Sequence, residues 1–307
     1  MLSPVRIAII DLYNNEPNQG MRCIQELIEQ VDKEFFDVPI GYQVFETRFR
    51  REAPDPDAFD IFISSGGPGS PFDGAGQAWE SDYFDVIDRV WNHNERSADR
   101  HQRKHIFFIC HSFQMMVRYF KLANVQRRAR QSFGIIPVER TGAGRDDVLL
   151  QDLPGTYFAA DFRQFEVVEP RQRAFDEIGA RIVSREKYRR FASDEKAMMA
   201  IRISDEIFGT QFHPEADPRS MLYHFQQPER KRQVVQEYGL AKYDEMLAHL
   251  RDPENILLTR RMILPRFLSQ AAWTLRPDAH IDENFRTDRL PGECGAAGEG
   301  EAVSQAS

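Results

Sequence analysis

The feature that most constrains the fold is an alternation of short unbroken apolar runs with segments of helical period. Val5–Ile10 is apolar apart from one arginine and ends at Asp11. Met21, Ile24, Leu27, Ile28 and Val31 then recur at the spacing of one helix face. Strand-like runs return at Tyr42–Thr47, Asp60–Ser64 and Ile106–Ile109, with a helix predicted over Ser81–His93. A further helix after Cys110 carries Phe113, Met116, Val117 and Phe120 on one face. Apolar runs of this length read as strands buried on both faces of a parallel sheet. Strands alternating with helices then predict an α/β fold. In such sheets, sites lie at the carboxyl ends of the strands.

The pattern changes further along. Phe133–Glu139, Thr156–Ala159, Phe165–Val168, Arg181–Ser184, Met198–Ile203 and Ile207–Phe212 read as short strands joined by turns, a mixed or antiparallel extension of the sheet. Residues 217 to 273 are helical in pattern and strongly charged. The last 30 or so residues are rich in Gly, Ala, Glu and Pro and read as a disordered tail. The expected division is 1–225 as the main domain, 226–275 as a helical extension packed on it, and 276–307 as the tail.

Composition narrows the function classes. A net charge of -8 gives no support to nucleic-acid binding as the main task. The basic clusters Arg127-Arg128-Ala129-Arg130 and Arg230-Lys231-Arg232 lie among acids and fit solvated faces. No apolar run approaches the roughly 20 residues of a membrane span, and no signal-peptide pattern opens the chain. Three cysteines do not make a disulfide framework, so the reading is cytoplasmic and reducing. His101 and His105 stand four apart but lack an evident third ligand, and a charged loop explains them. Neither a metal nor a cofactor is implied. Cys23 reads as structural and Cys294, in the tail, as incidental.

Three segments carry the chemistry. Cys110 follows an apolar strand and precedes an amphipathic helix, so it sits on a sharp bend beside a helix N-terminus. There the helix dipole and free N–H groups stabilise a thiolate and can hold an oxyanion. Ser64-Ser65-Gly66-Gly67-Pro68-Gly69-Ser70 includes the end of a strand and glycines that let backbone approach a substrate closely. Gln211-Phe212-His213-Pro214-Glu215 follows another strand, and its His and Glu suit a base and an orienting carboxylate.

The order of SGGPGS, a cysteine elbow and GTQFHPE resembles the class I glutamine amidotransferases over roughly residues 5 to 225. The resemblance implies a three-layer, mostly parallel central sheet flanked by helices, of the flavodoxin-like class I amidotransferase type, with a C-terminal helical extension. It implies Cys110 as nucleophile on the glutamine side-chain amide, forming a γ-glutamyl thioester. His213 would move the proton and Glu215 would orient the imidazole. The N–H groups of Gly67 and His111 would form the oxyanion hole, and Gly66 and Gln114 would line the substrate site. The implied partners are glutamine and a separate synthetase or synthase subunit that accepts the ammonia. The charged helices would dock that subunit, form a homodimer or cap the sheet. No G-x-x-x-x-G-K loop follows residue 225.

The elbow departs from the family pattern. The two glycines of G-x-C-x-G-x-Q are Phe108 and Ser112 here. A bulky residue before the cysteine resembles the homoserine O-acyltransferases on the same fold. The stretch Asp161–Val167 has a loose likeness to their segment in which an Arg and a Glu contact the amino acid. That likeness offers Arg163 as a substrate contact, whereas an ordinary alternating strand with exposed charges is the simpler explanation of Arg163 and Glu166. A stand-alone acyltransferase, a γ-glutamyl hydrolase and a non-catalytic binding module therefore stand beside the amidotransferase reading.

Overall fold

The computed structural model describes residues 2–188 and 195–280. The first half alternates strand and helix: β1 (Val5–Ile10), α1 (Gly20–Asp32), β2 (Ile40–Phe45), α2 (Thr47–Arg50), β3 (Ile61–Ser64), α3 (Ala78–Arg96), β4 (His105–Ile109) and α4 (His111–Tyr119). Then come β5 (Asn124–Arg140), α5 (Gly142–Arg145), β6 (Thr156–Val168), α6 (Gln172–Ile178), β7 (Arg181–Glu186), β8 (Met198–Arg202) and β9 (Ile207–Thr210). Five helices complete the described chain: α7 (Pro218–Gln226), α8 (Pro228–Tyr238), α9 (Leu240–Arg251), α10 (Pro253–Met262) and α11 (Leu264–Leu275).

The strands form one sheet in the order β2-β1-β3-β4-β9-β8-β7-β5-β6. β2, β1, β3, β4 and β9 pair in parallel, and the remaining neighbours pair antiparallel. The architecture is the α/β three-layer fold expected, with its antiparallel extension on one side. The extension differs in length from the expectation. The separate strands expected at Thr156–Ala159 and Phe165–Val168 are one 13-residue strand, paired with the 17-residue β5. Asp161 and Arg163 hid this continuity, because two charges between apolar residues read as a turn although they pair with each other inside the protein.

Each face of the sheet buries its own helices. Ile24, Leu27, Ile28 and Val31 of α1 join Phe267, Leu268, Ala271 and Ala272 of α11 over Ile7, Ile9, Phe107 and Ile109. On the opposite face, α3 and α4 bring Tyr83, Val86, Ile87, Phe113 and Met116 over Ala8, Ile10, Phe62 and Phe108. A third cluster sets Phe225, Tyr243, Met246 and Leu250 of α7 and α9 on Ile135 and Ala160 of the β5–β6 ribbon. The boundary expected at 225 falls at the end of α7, yet α11 beyond it supplies one layer of the main core. Residues 276–280 of the expected tail are also tied down. Arg276 donates to the carbonyls of Ser3 and Pro4, and His280 pairs with Asp37. The rest of that tail, 281–307, lies outside the described residues, as does Cys294. Among the described residues no helix is long and apolar enough to cross a membrane.

Phe267 packs edge-on to Phe107 at 5.2 Å between ring centroids. Replacing it by Ala is expected to destabilise the fold by about 3–5 kcal/mol, from lost transfer energy and the cavity left behind. Denaturant titration measures this, and it tests whether α11 is core or appendage. His105 opens β4 and is buried, and burial pushes its pKa down to about 4. In the unfolded chain it titrates near 6.5. The stabilisation from keeping it neutral is therefore complete above about pH 6.5 and lost as pH falls toward about 4. His105→Gln is expected to flatten the stability curve over that window by about 1.4 kcal/mol per pH unit.

Candidate active site at the strand ends

Cys110 joins β4 to α4 with φ +51° and ψ −96°. A side chain at positive φ is strained, and such strain persists only where the surroundings impose it. Here they do. The Cys110 N–H donates to the Thr210 carbonyl at 2.8 Å, which anchors the bend to β9. Ser112 anchors it to β3: its Oγ accepts the Ile109 N–H at 2.8 Å and donates to the Ser64 carbonyl at 2.7 Å. The serine in place of the family glycine is thus a clamp on the bend.

Phe108, in place of the other glycine, does not enter the site. It alternates with Cys110's neighbours and lies in the core on the α3–α4 face. Its register partner on β9 is Gly209. A Cβ on Gly209 would lie 3.3 Å from Phe108 Cβ and 2.9 Å from a Phe113 ring carbon. The space a glycine would have left on β4 is provided on the neighbouring strand.

His213 and Glu215 follow β9. The His213 N–H donates to the Ala160 carbonyl at 2.9 Å, pinning this turn to β6. His213 Nδ1 lies 2.8 Å from Glu215 Oε1, and Glu215 is almost wholly buried. Burial opposes charging of His213, but Glu215 and Cys110 outweigh it and hold its pKa well above the ordinary histidine value. A protonated imidazole is the form these charges favour. His111, the first residue of α4, has an N–H without an acceptor inside the helix. Its ring is buried, and burial pushes its pKa down to about 3, so it stays neutral.

The glycine loop after β3 is fitted to these groups. A Cβ on Gly66 would lie 2.9 Å from His213 Cε1, and one on Gly67 would lie 2.6 Å from the Leu12 carbonyl oxygen. Gln114 sits one turn into α4, and its amide donates to Gln211 Oε1 at 3.2 Å and to the Phe165 carbonyl at 3.3 Å. Gln211 in turn places its amide nitrogen 3.9 Å from Cys110 Sγ. Cys110, His213, Glu215, Gly66 and Gln114 are therefore brought to one place.

Arg163 is bound up in a different arrangement. It is buried and pairs with Asp161 at 2.9 Å and Glu186 at 2.5 Å. Glu166 accepts from Arg128 at 2.7 Å. The exposed charges expected on this strand are instead an internal ion-pair network with Arg128. His101 bonds through Nδ1 to the Thr274 carbonyl at the far end of β4. No cluster of three His, Cys, Asp or Glu able to hold a metal is present among the described residues.

Three contributors were missed in the sequence. Gln211 lies inside the QFHPE segment, where a glutamine carries no obvious chemistry. Arg260 of α10 donates to the Glu215 carbonyl and bonds Glu26 of α1 at 3.2 Å, with no motif to mark it. Tyr13 follows β1, so only its place at a strand end could have found it. Its hydroxyl would lie 3.0 Å from a Cβ on Gly66.

The family model described as glutamine amidotransferase class-I matches residues 23–225. A glutamine amidotransferase from Thermotoga maritima has a similar structure, with TM-score 0.61 and 15% identity, over 87% of this chain and 97% of that one. A glutamine amido transferase from Methylobacillus flagellatus gives TM-score 0.52 and 14% identity, over 90% of this chain and 92% of that one. At these identities the likeness is one of fold. No curated protein matches the chain.

Gly66→Ala is expected to fold, because its conflict is with a side chain, and to displace the His213 ring. A loss of about 10²-fold in turnover with little change in Tm is the expected result. Gly67→Ala meets backbone instead and is expected to lower Tm as well.

Proposed function

The chain belongs to the class I glutamine amidotransferase family, and from that premise we propose that it hydrolyses the side-chain amide of glutamine through a cysteinyl thioester and supplies the ammonia to an acceptor. The observation that carries this reading is the strained Cys110 elbow facing a buried His213–Glu215 pair.

The steps follow from the positions. The Cys110 sulfur attacks the amide carbon, and the oxyanion forms against the N–H groups of His111 and Gly67. His213, protonated and held by Glu215, gives its proton to the amide nitrogen as the carbon–nitrogen bond breaks. Ammonia leaves and a γ-glutamyl thioester remains. Water then attacks the thioester while His213 takes a proton from it. Glutamate departs, and the sulfur is freed beside a protonated His213, the state in which the cycle began. Gln114 and Gln211 form the polar wall beside the sulfur. Arg163 and Glu166, offered above as substrate contacts of an O-acyltransferase, are both engaged in ion pairs with the chain itself. These pairings support the amidotransferase reading, and Arg163 Nη1 is the one nitrogen of that guanidinium left without a partner among the described residues. No cofactor is needed for these steps. A separate synthetase or synthase subunit as acceptor of the ammonia, and a cytoplasmic location, complete the proposal.

The test is ammonia release from glutamine, with cell extract added to supply a partner. Wild-type protein is expected to release it. Cys110→Ala is expected to lower the rate by about 10³-fold or more while remaining folded. A folded wild type that releases none under both conditions contradicts the reading.

A further inference from the structure

Tyr13 stands in the loop between β1 and α1 and is set there by its neighbours. Asp11 Oδ1 accepts the Tyr13 N–H at 2.7 Å. Asn14 and Asn15 then turn the chain away with φ of +55° and +61°. Asparagine is a residue type that tolerates this left-handed conformation.

The phenol lies in a slot made by two missing side chains. A Cβ on Gly20 would stand 2.6 Å from the Tyr13 hydroxyl and 3.2 Å from Glu215 Oε1. One on Gly66 would stand 3.0 Å from the hydroxyl and 2.9 Å from His213 Cε1. The hydroxyl thus borders both members of the His213–Glu215 pair. The acid is half satisfied: Oε1 takes the imidazole, and Oε2 is buried without a hydrogen-bond partner. The phenol makes no side-chain hydrogen bond among the described residues. The hydroxyl and Glu215 Oε1 border the same Gly20 position, so a free donor and a carboxylate with one unpartnered oxygen share one slot.

We propose that Tyr13 is a positioning residue of this site, whose hydroxyl closes on the Glu215 carboxylate and limits how tightly that carboxylate holds the His213 proton. The inference rests on the Cys110–His213–Glu215 reading above, but not on the identity of the substrate. Burial, then the charges of Glu215 and Cys110, push the Tyr13 hydroxyl well above its ordinary pKa, so it remains a donor. The other titratable groups facing it are Asp11 on its own loop and Cys23 on α1. Arg260 approaches from α10, and its contact is to the Glu215 carbonyl. A proton on His213 that is held too tightly slows its delivery to the leaving nitrogen, so the hydroxyl tunes a transfer it never touches.

Tyr13→Phe tests this, because it removes one oxygen that bonds nothing in the fold. The pH dependence of Cys110 alkylation by iodoacetamide is followed on the Cys110 peptide by mass spectrometry. Its alkaline arm reports loss of the His213 proton. Without the hydroxyl, the full charge of Glu215 acts on His213, so this arm is expected to move up by about one pH unit. Gly20→Ala, which pushes the phenol away, is expected to move it in the same direction. In glutamine turnover, Tyr13→Phe is expected to lower kcat about tenfold with KM unchanged. An unmoved alkaline arm in Tyr13→Phe overturns the proposal. So does a Tyr13→Ala variant that alone is impaired, since that marks the ring as packing only. A shifted arm in protein that never turns over glutamine would leave this role standing and remove the amidotransferase reading.

Discussion

The site depends on one strained residue. Cys110 holds a backbone conformation that costs a non-glycine residue roughly 1–3 kcal/mol. The strain is sustained because β4 runs between β3 and β9, and both neighbours hold the bend. Thr210 takes the Cys110 N–H, and Ser112 ties the first turn of α4 back to Ser64. The conformation aims the sulfur out of the strand direction and leaves the first N–H groups of α4 without acceptors in the helix. Loosening either neighbour would let the cysteine relax, and the proposed nucleophile and oxyanion donors would be lost together.

The second dependence runs through the C-terminal helices. Glu215 is buried under them, and Arg260 joins its carbonyl to Glu26 of α1. Thr259, the preceding residue, donates to the Phe158 carbonyl of β6 at 2.5 Å. β6 in turn receives the His213 N–H. α10 thus braces both the strand and the turn that hold His213 and Glu215. α11 covers the sheet beneath. Segments that the charge pattern suggested as a docking surface are, at α10 and α11, part of what holds the site.

Much of this was legible in the sequence, for physical reasons. Strands buried on both faces must be apolar throughout, so β1, β3 and β4 could be placed within a residue or so. The elbow cysteine, the glycine loop and the His-Pro-Glu turn were visible because each needs a residue type that few alternatives replace. What escaped depends on partners distant in the chain. Gly209 accommodates Phe108 only because the two strands pair in register. Tyr13 matters only because Gly20 and Gly66 lack side chains facing it. Arg260 looks like any surface arginine of a charged helix until the fold brings Glu26 and Glu215 beneath it. The β5–β6 ribbon was cut into pieces because its charges face one another across an internal network, which no single-strand pattern reveals.

The account as a whole asserts that Cys110 becomes acylated by glutamine during turnover. Rapid acid quenching of the protein with glutamine, followed by mass spectrometry of the Cys110 peptide, measures that directly. A γ-glutamyl adduct confined to Cys110, absent in Cys110→Ala and accumulating when His213 is replaced by a weaker base, is the predicted result. Ammonia released at the wild-type rate by Cys110→Ala, with no adduct on the wild-type peptide, would contradict it.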